Sequence, residues 1–250
     1  MKTLKLIRFF TVGMVMLFGF PIGIVQAEPC KLPDLDSAVF TAPLLIDNPF
    51  WPLEPGTTFV YEPVPNEEDV VNTVTVTGDF KTITVKSQII DCRVVHDVET
   101  VGGKITEDTY DWYAQDDEGN IWYCGEDTTA YLEDGTTSKE GSWEAGKDGA
   151  LPGHLILANP SPGACYQQEY ADGAQDRSKV LSLNAKVALE NGDSYEDCLV
   201  TKEWTPLSPG NVEHKYYAAG TGLVLIEELK GKSVRVELIR VELIRKESTP

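Results

Sequence analysis

The chain has little of what most enzymes use for catalysis. It contains only three histidines, at positions 96, 154 and 214, and no G-x-S-x-G segment of the kind that carries an esterase nucleophile. Neither a phosphate-binding glycine loop nor a dinucleotide fingerprint occurs. No nucleophile, base and orienting group can be assigned together. We therefore predict no catalytic, cofactor-binding or metal-binding residues, and a non-enzymatic role is favoured over an enzymatic one.

Basic residues are scarce: Lys and Arg total 21, against 40 Asp and Glu. They form no cluster, so the chain would repel a phosphate backbone, which excludes nucleic acid as a partner. The acidity either keeps an exported protein soluble or binds multivalent cations weakly. The turn Asp116–Asn120 is the calcium candidate, but Gly119 comes too early for a calcium loop and a polar hairpin turn is favoured.

Cysteines are few, and none forms a C-x-x-C pair or a Cys/His set at zinc spacing. An odd number leaves at least one thiol free or intermolecular. The positions of Cys92 and Cys198 suit a small buried side chain as well as they suit a disulfide-bonded one. The sequence does not say which of the cysteines pair; they are Cys30, Cys92, Cys124, Cys165 and Cys198.

Long apolar runs are absent except at the N-terminus. Residues 1–27 start with basic residues, continue as an uncharged run over 9–25, and end in the small residue Ala27. This pattern is typical of a secretory signal peptide, with a retained membrane anchor as the alternative. Its removal leaves 18 basic and 40 acidic residues, a formal charge of −22. We expect a periplasmic or extracellular protein with no transmembrane segment after cleavage.

No stretch after the signal peptide predicts a helix longer than two turns. Val70–Thr77 alternates Val with Thr or Asn, the pattern of a half-buried strand. Ile89–Val101 and Ile105–Gln115 read as strands joined at Gly102-Gly103, a hairpin signal. Gly78-Asp79 predicts a further turn. We therefore predict an all-β fold, an antiparallel sandwich or barrel.

Two parts of the chain resemble each other, which predicts two copies of one β-meander unit sharing a core. Two unrelated meanders are the alternative, but unlike anchor residues recur in the same order. The anchors are Asp91-Cys92 with Asp197-Cys198, Tyr113-Ala114 with Tyr217-Ala218, and Gly119 with Gly222.

The predicted organisation follows from these copies. Phe50 and Trp51, in a proline-rich segment, are expected to pack across one end of the fold, or else to form a recognition patch. The parts are 1–27, signal peptide; 28–54, proline-rich lead; 55–124, first repeat; 125–161, connection; 162–245, second repeat; and 246–250, tail.

Three segments carry a resemblance over most of residues 46–240. They are D-N-P-F-W-P-L-E-P-G-T-T-F-V-Y, D-T-Y-D-W-Y-A-Q-D-D-E-G-N-I-W-Y and E-H-K-Y-Y-A-A-G-T-G-L-V. The chain resembles a group of exported bacterial β proteins of uncharacterised function, and Y-Y-A-x-G-x-G-L-V is the most specific element. The resemblance implies export and an all-β fold, and brings no substrate, cofactor or catalytic residue.

The function predicted from these features is an exported, acidic, non-enzymatic binding or envelope-associated module with an unknown ligand or envelope partner. A secreted hydrolase that uses acidic residues and a weak calcium-binding protein are the alternatives.

Overall fold

The computed structural model describes residues 30–229 and 234–244. The predicted signal peptide and the 246–250 tail lie outside the described residues. Apart from a short 3-10 helix at Leu35–Ser37, the regular elements of the described chain are strands. The all-β prediction is therefore confirmed. No helix within these two described ranges has the length and apolarity needed to cross a membrane.

The strands are long in both halves and short in the connection between them. In chain order they are β1 Thr57–Val64, β2 Val70–Val85, β3 Gln88–Val101, β4 Lys104–Gln115, β5 Ile121–Tyr131, β6 Thr137–Ser138, β7 Trp143–Glu144, β8 Leu151–Ile156, β9 Cys165–Gln167, β10 Glu169–Tyr170, β11 Arg177–Ala188, β12 Ser194–Trp204, β13 Val212–Ala218, β14 Gly222–Glu228 and β15 Val234–Leu243.

These strands form one antiparallel sheet that nearly closes on itself. The order is β10-β8-β5-β4-β3-β2-β1-β15-β14-β13-β12-β11-β9, with β6 and β7 added on β5. The first and last strands of this path, β10 and β9, are separated in the chain only by Gln168. The chain itself therefore joins the two ends of the sheet. The result is a barrel-like sheet, one of the two architectures predicted.

Strand β2 runs through the predicted turn at Gly78-Asp79. Val76 pairs with Val95, and the next pair is Phe80 with Arg93, so β2 holds extra residues at this point. The Thr77 hydroxyl still donates to the Val94 carbonyl at 2.7 Å. The predicted turn is wrong, because the glycine marks a bulge instead, a common position for glycine within a strand.

The described part of the predicted lead, residues 30–54, covers one end of the sheet. The Trp51 ring lies edge-on between Tyr113, at a centroid distance of 5.7 Å, and Tyr217, at 6.0 Å. The Gly220 amide donates to the Pro49 carbonyl at 2.7 Å, and the Thr41 hydroxyl donates to Asp117 at 2.6 Å. Trp51 thus packs across the end of the fold, as expected of this aromatic segment.

The start of the lead is fixed to β9 by a disulfide between Cys30 and Cys165, which are separated by 135 positions. The backbone supports the same contact, because the Lys31 amide donates to the Cys165 carbonyl at 3.3 Å. The bond ties the lead to the strand at which the sheet path ends.

The two halves place their strands in the same neighbour order, β1-β2-β3-β4-β5-β8 and β9-β11-β12-β13-β14-β15. In both, the register slips by one residue at a tyrosine: Tyr113 pairs with Tyr123, and Tyr217 pairs with Leu223. The next pairs are Ala114 with Trp122 and Ala218 with Gly222. Gly222 therefore occupies the position of Trp122, so its predicted match with Gly119 does not hold.

Candidate functional site: a buried carboxyl cluster

Acidic residues that are adjacent in the sequence point to opposite faces of the sheet. Glu126 is 2 % exposed, whereas the side chain of its neighbour Asp127 is 55 % exposed. Likewise Asp108 meets His96 on the outer face, while Glu107 pairs across the strands with the buried Glu99. Strand alternation thus separates the acidic neighbours of the sequence, and cross-strand pairing assembles a different set.

Three adjacent strands direct carboxyl groups to the same buried face. Asp111 of β4 lies directly opposite Val95 of β3 and Glu126 of β5. Asp97 lies two residues beyond Val95 on β3, so it faces the same side. Asp97 is 8 % exposed and Asp111 4 %. The repulsion between these groups would be strong if all of them were ionised.

A fourth carboxyl reaches this face from the far end of the sheet path. Glu169 lies on β10, directly opposite Pro152 of β8, and is 1 % exposed. Its Oε1 accepts the Asp176 amide at 3.4 Å, and the Trp143 indole of β7 also favours its charged form, whereas Oε1 of Glu126 finds no hydrogen-bond partner among the described residues. A buried carboxylate oxygen without a donor is costly, which favours the protonated form. We call Asp97, Asp111, Glu126 and Glu169 the carboxyl cluster.

The cluster retains protons that ordinary carboxyls lose well below neutral pH. Burial raises the pKa of Asp111 to about 7, although the Tyr123 hydroxyl, which donates to it at 2.7 Å, opposes the change. Burial also raises the pKa of Glu126 well above its ordinary value, and repulsion from Asp111 and Glu169 adds to it. The pKa of Glu169 is also raised well above its ordinary value, first by burial and then by repulsion from Asp176. Chemically, Asp111 can bind and release a proton near neutral pH, and its neighbours in the cluster hold theirs more firmly than ordinary carboxyls do.

A buried lysine balances the acidic groups on the opposite side of the interior. Lys215 of β13 is 3 % exposed and pairs with Glu203 at 2.8 Å and Glu213 at 3.6 Å. Burial lowers the pKa of Lys215, but attraction from the two glutamates outweighs burial, so the pKa is raised. Asp176 also lies near Lys215, and burial raises its pKa to about 7 despite that attraction. Among the described residues, the charged groups that act on the cluster are other carboxyl groups.

Two of the three histidines pack against aromatic rings on neighbouring strands. The His96 ring stacks on Tyr110 at 4.4 Å, and its Nε2 lies 2.9 Å from Asp108. His154 packs edge-on against Trp122, and burial lowers the pKa of His154 to about 4. The third, residue 214, lies on β13 and is partly exposed. These contacts give His96 and His154 structural roles on β3 and β8.

The acidic turn Asp116–Asn120 uses its oxygens internally. The Asp116 carboxylate accepts the amides of Glu118 and Asn120, the Asn120 side-chain amide and the Trp122 indole, at 2.8 to 3.1 Å. Asp116 is only 6 % exposed. It is a buried anchor of the hairpin, with four donors already occupying the oxygens that calcium would need.

The arrangement of the His, Cys, Asp and Glu side chains bears on metal binding and on thiol chemistry. Within residues 30–229 and 234–244, no group of three or more His, Cys, Asp or Glu residues is arranged to hold a metal ion. Cys92, Cys124 and Cys198 are free and buried. Burial, reinforced by Cys124, raises the pKa of Cys92, so this thiol is a poor nucleophile.

Sequence reasoning missed the whole carboxyl cluster. One signal was available: acidic residues recur at even spacings, at Asp97 and Glu99 on β3 and at Glu107 and Asp111 on β4, while other polar residues lie on the opposite face of the same strands, among them His96 and Asp108. A strand with polar residues on both faces suggests a polar interior. Glu169 carried no such signal, because β10 is two residues long.

No protein-family model matches this chain, and no curated protein matches it either. Two solved structures are similar in shape at low sequence identity. One is a presumed exported protein with a YmcC-like fold from Bacteroides fragilis, at 13 % identity and a TM-score of 0.43. The other is a presumed lipoprotein from Parabacteroides distasonis, at 12 % identity and a TM-score of 0.44. Each comparison covers 77 % of this chain and 98 % of the other.

Proposed function

We propose that the protein acts outside the cytoplasm as a non-enzymatic binding or envelope-associated module. The observation that carries the proposal is the disulfide between Cys30 and Cys165. Disulfides persist in the periplasm and outside the cell and are rare in the cytoplasm. The signal-peptide pattern of residues 1–27 supports the same location.

The location is tested by fractionating cells that produce the full chain. We expect mature protein that begins at Glu28, in the periplasm or the medium, with Cys30 and Cys165 linked in its peptide map. The matched control is the chain without residues 1–27, which should stay in the cytoplasm with both thiols reduced. Full-length cytoplasmic protein that retains Met1 would contradict the proposal.

We also propose that the module arose by duplication of one β-meander. The equal neighbour order of the strands and the bulges at Tyr113 and Tyr217 support this origin. The Trp51 ring contacts both tyrosines in the same edge-on manner, at interplanar angles of 69° and 68°. Superposition of the halves in an experimental structure tests it: Cys92 should fall on Cys198, and unrelated positions would refute it.

A secreted hydrolase is the second candidate, because the pKa of Asp111 is raised to about 7, a value suited to a general acid. However, Asp111 is 4 % exposed, so no substrate could reach it in the closed sheet. We expect no turnover of glycoside, ester or peptide reporter substrates. Turnover that Asp111→Asn abolishes, and that Asp127→Asn leaves intact, would establish the hydrolase instead.

A further inference from the structure

The strand path is closed by one short ladder, beside which β9 packs on β8 at Gly153 and through the Tyr166 hydroxyl, which donates to the Leu155 carbonyl at 3.3 Å. Strand β10 pairs with β8 through only Glu169 with Pro152 and Tyr170 with Leu151. Proline has no amide hydrogen to donate, so this part of the ladder holds fewer hydrogen bonds than its length allows. By comparison, β3 and β4 pair along nearly their whole length. We call the contact between β10 and β8 the seam.

The chain on the other side of the seam is held firmly. Strand β9 is bound to the lead by the Cys30–Cys165 disulfide and by the Gln167 amide, which donates to the Lys31 carbonyl at 3.0 Å. The same strand pairs with β11. Separation of β10 from β8 would therefore leave β9 in place, so the seam can open locally.

Like charges face Glu169 from β4, β5 and the connection after β10, whereas β8 places Pro152 opposite it and β7 offers the Trp143 indole as a donor. Asp111 approaches from β4 and Glu126 from β5, while Asp176 lies in the connection after β10. Tyr123 of β5 also faces this group as a neutral hydroxyl. The buried Lys215 pairs with Glu203 and Glu213, which belong to the same half as Glu169, and it also attracts Asp176.

We propose that the seam is a pH-sensitive gate, closed while the carboxyl cluster is protonated and opened when Glu169 and Glu126 lose their protons. Two carboxylates cannot remain side by side in a dry interior, so one of them must reach water. Asp111 and Glu126 are held on long paired strands, whereas Glu169 sits on a strand of two residues. Glu169 is therefore the group that moves, and β10 moves with it.

Hydrogen exchange of the intact, disulfide-bonded protein tests the gate, with rates corrected for the intrinsic pH dependence of exchange. Each pH unit increases the ratio of ionised to protonated carboxyl about tenfold. From pH 5.5 to pH 8.5 we expect peptides covering 151–156 and 168–170 to lose at least about tenfold in protection. Peptides from β3 and β4 should keep theirs.

Variants identify the group responsible. Glu169→Gln should keep the seam protected at pH 8.5, and Glu126→Gln should do so in part, which gives a second test if the first variant folds poorly. Asp127→Asn, on the outer face beside Glu126, is the matched control and should behave as the parent chain. Unchanged seam protection in the parent chain would overturn the gate, as would equal loss in Glu169→Gln or simultaneous loss in β3 and β4.

Discussion

The carboxyl cluster should make the protein less stable as the pH rises, and Asp111→Asn should remove part of this dependence. The folded pKa of Asp111 is about 7, above its ordinary value of 3.8. The folded state therefore holds a proton between these values that the unfolded state has released. For an acid whose pKa is raised by folding, the stabilisation is complete below the pKa of the unfolded state and is lost as the pH rises through the pKa of the folded state.

The magnitude follows from the proton count. One proton difference changes the free energy of unfolding by about 1.4 kcal/mol per pH unit. Between pH 5 and pH 7, Asp111 alone should thus cost about 2 kcal/mol of stability, because its proton is already half lost at pH 7. Asn has nearly the same shape, can still accept a hydrogen bond from Tyr123, and never ionises. Asp111→Asn should therefore be more stable than the parent chain at pH 8, and little different at pH 5.

Urea unfolding followed by tryptophan fluorescence at pH 5, 6, 7 and 8, with the disulfide intact, measures both effects. Asp127→Asn is the control, because its side chain is exposed on the outer face beside Glu126. A free energy of unfolding that is flat or rises from pH 5 to pH 8 would refute the reasoning. So would an Asp111→Asn variant that is destabilised equally at every pH, since that result would indicate a packing role alone.

Three other changes test the packing. Gly153→Ala should destabilise the protein by about 1–3 kcal/mol in urea unfolding, because a Cβ at this position would lie 2.2 Å from a carbonyl oxygen of β9; wild-type stability would contradict that contact. Cys30→Ser should cost about 2–5 kcal/mol, and matching melts of oxidised and reduced parent protein would show that the Cys165 bond contributes nothing. Asp116→Asn, which places a side-chain amide NH2 donor where the Trp122 indole N–H now finds an acceptor oxygen, should cost about 1–3 kcal/mol; a loss below the error of the melts would mean that the buried anchor is unimportant.

Local signals in the sequence determined the all-β class. The Val/Thr alternation of Val70–Thr77 and the Gly102-Gly103 turn describe short-range preferences, which survive in any sheet that buries one face. The aromatic lead was also predictable in part, since Trp51 has too much apolar surface to leave in water and lies beside prolines that exclude a central strand. The turn at Gly78 failed because a glycine marks a bulge and a turn equally well.

The tertiary structure alone decided the carboxyl cluster and the closure of the sheet. Asp97, Asp111, Glu126 and Glu169 are far apart in the chain, and they meet only because register sets which residues lie opposite each other. A shift of one residue would send each side chain to the other face. The sequence left the disulfide partner of Cys30 undetermined for the same reason, because a contact across 135 positions depends on the closed sheet and not on local sequence.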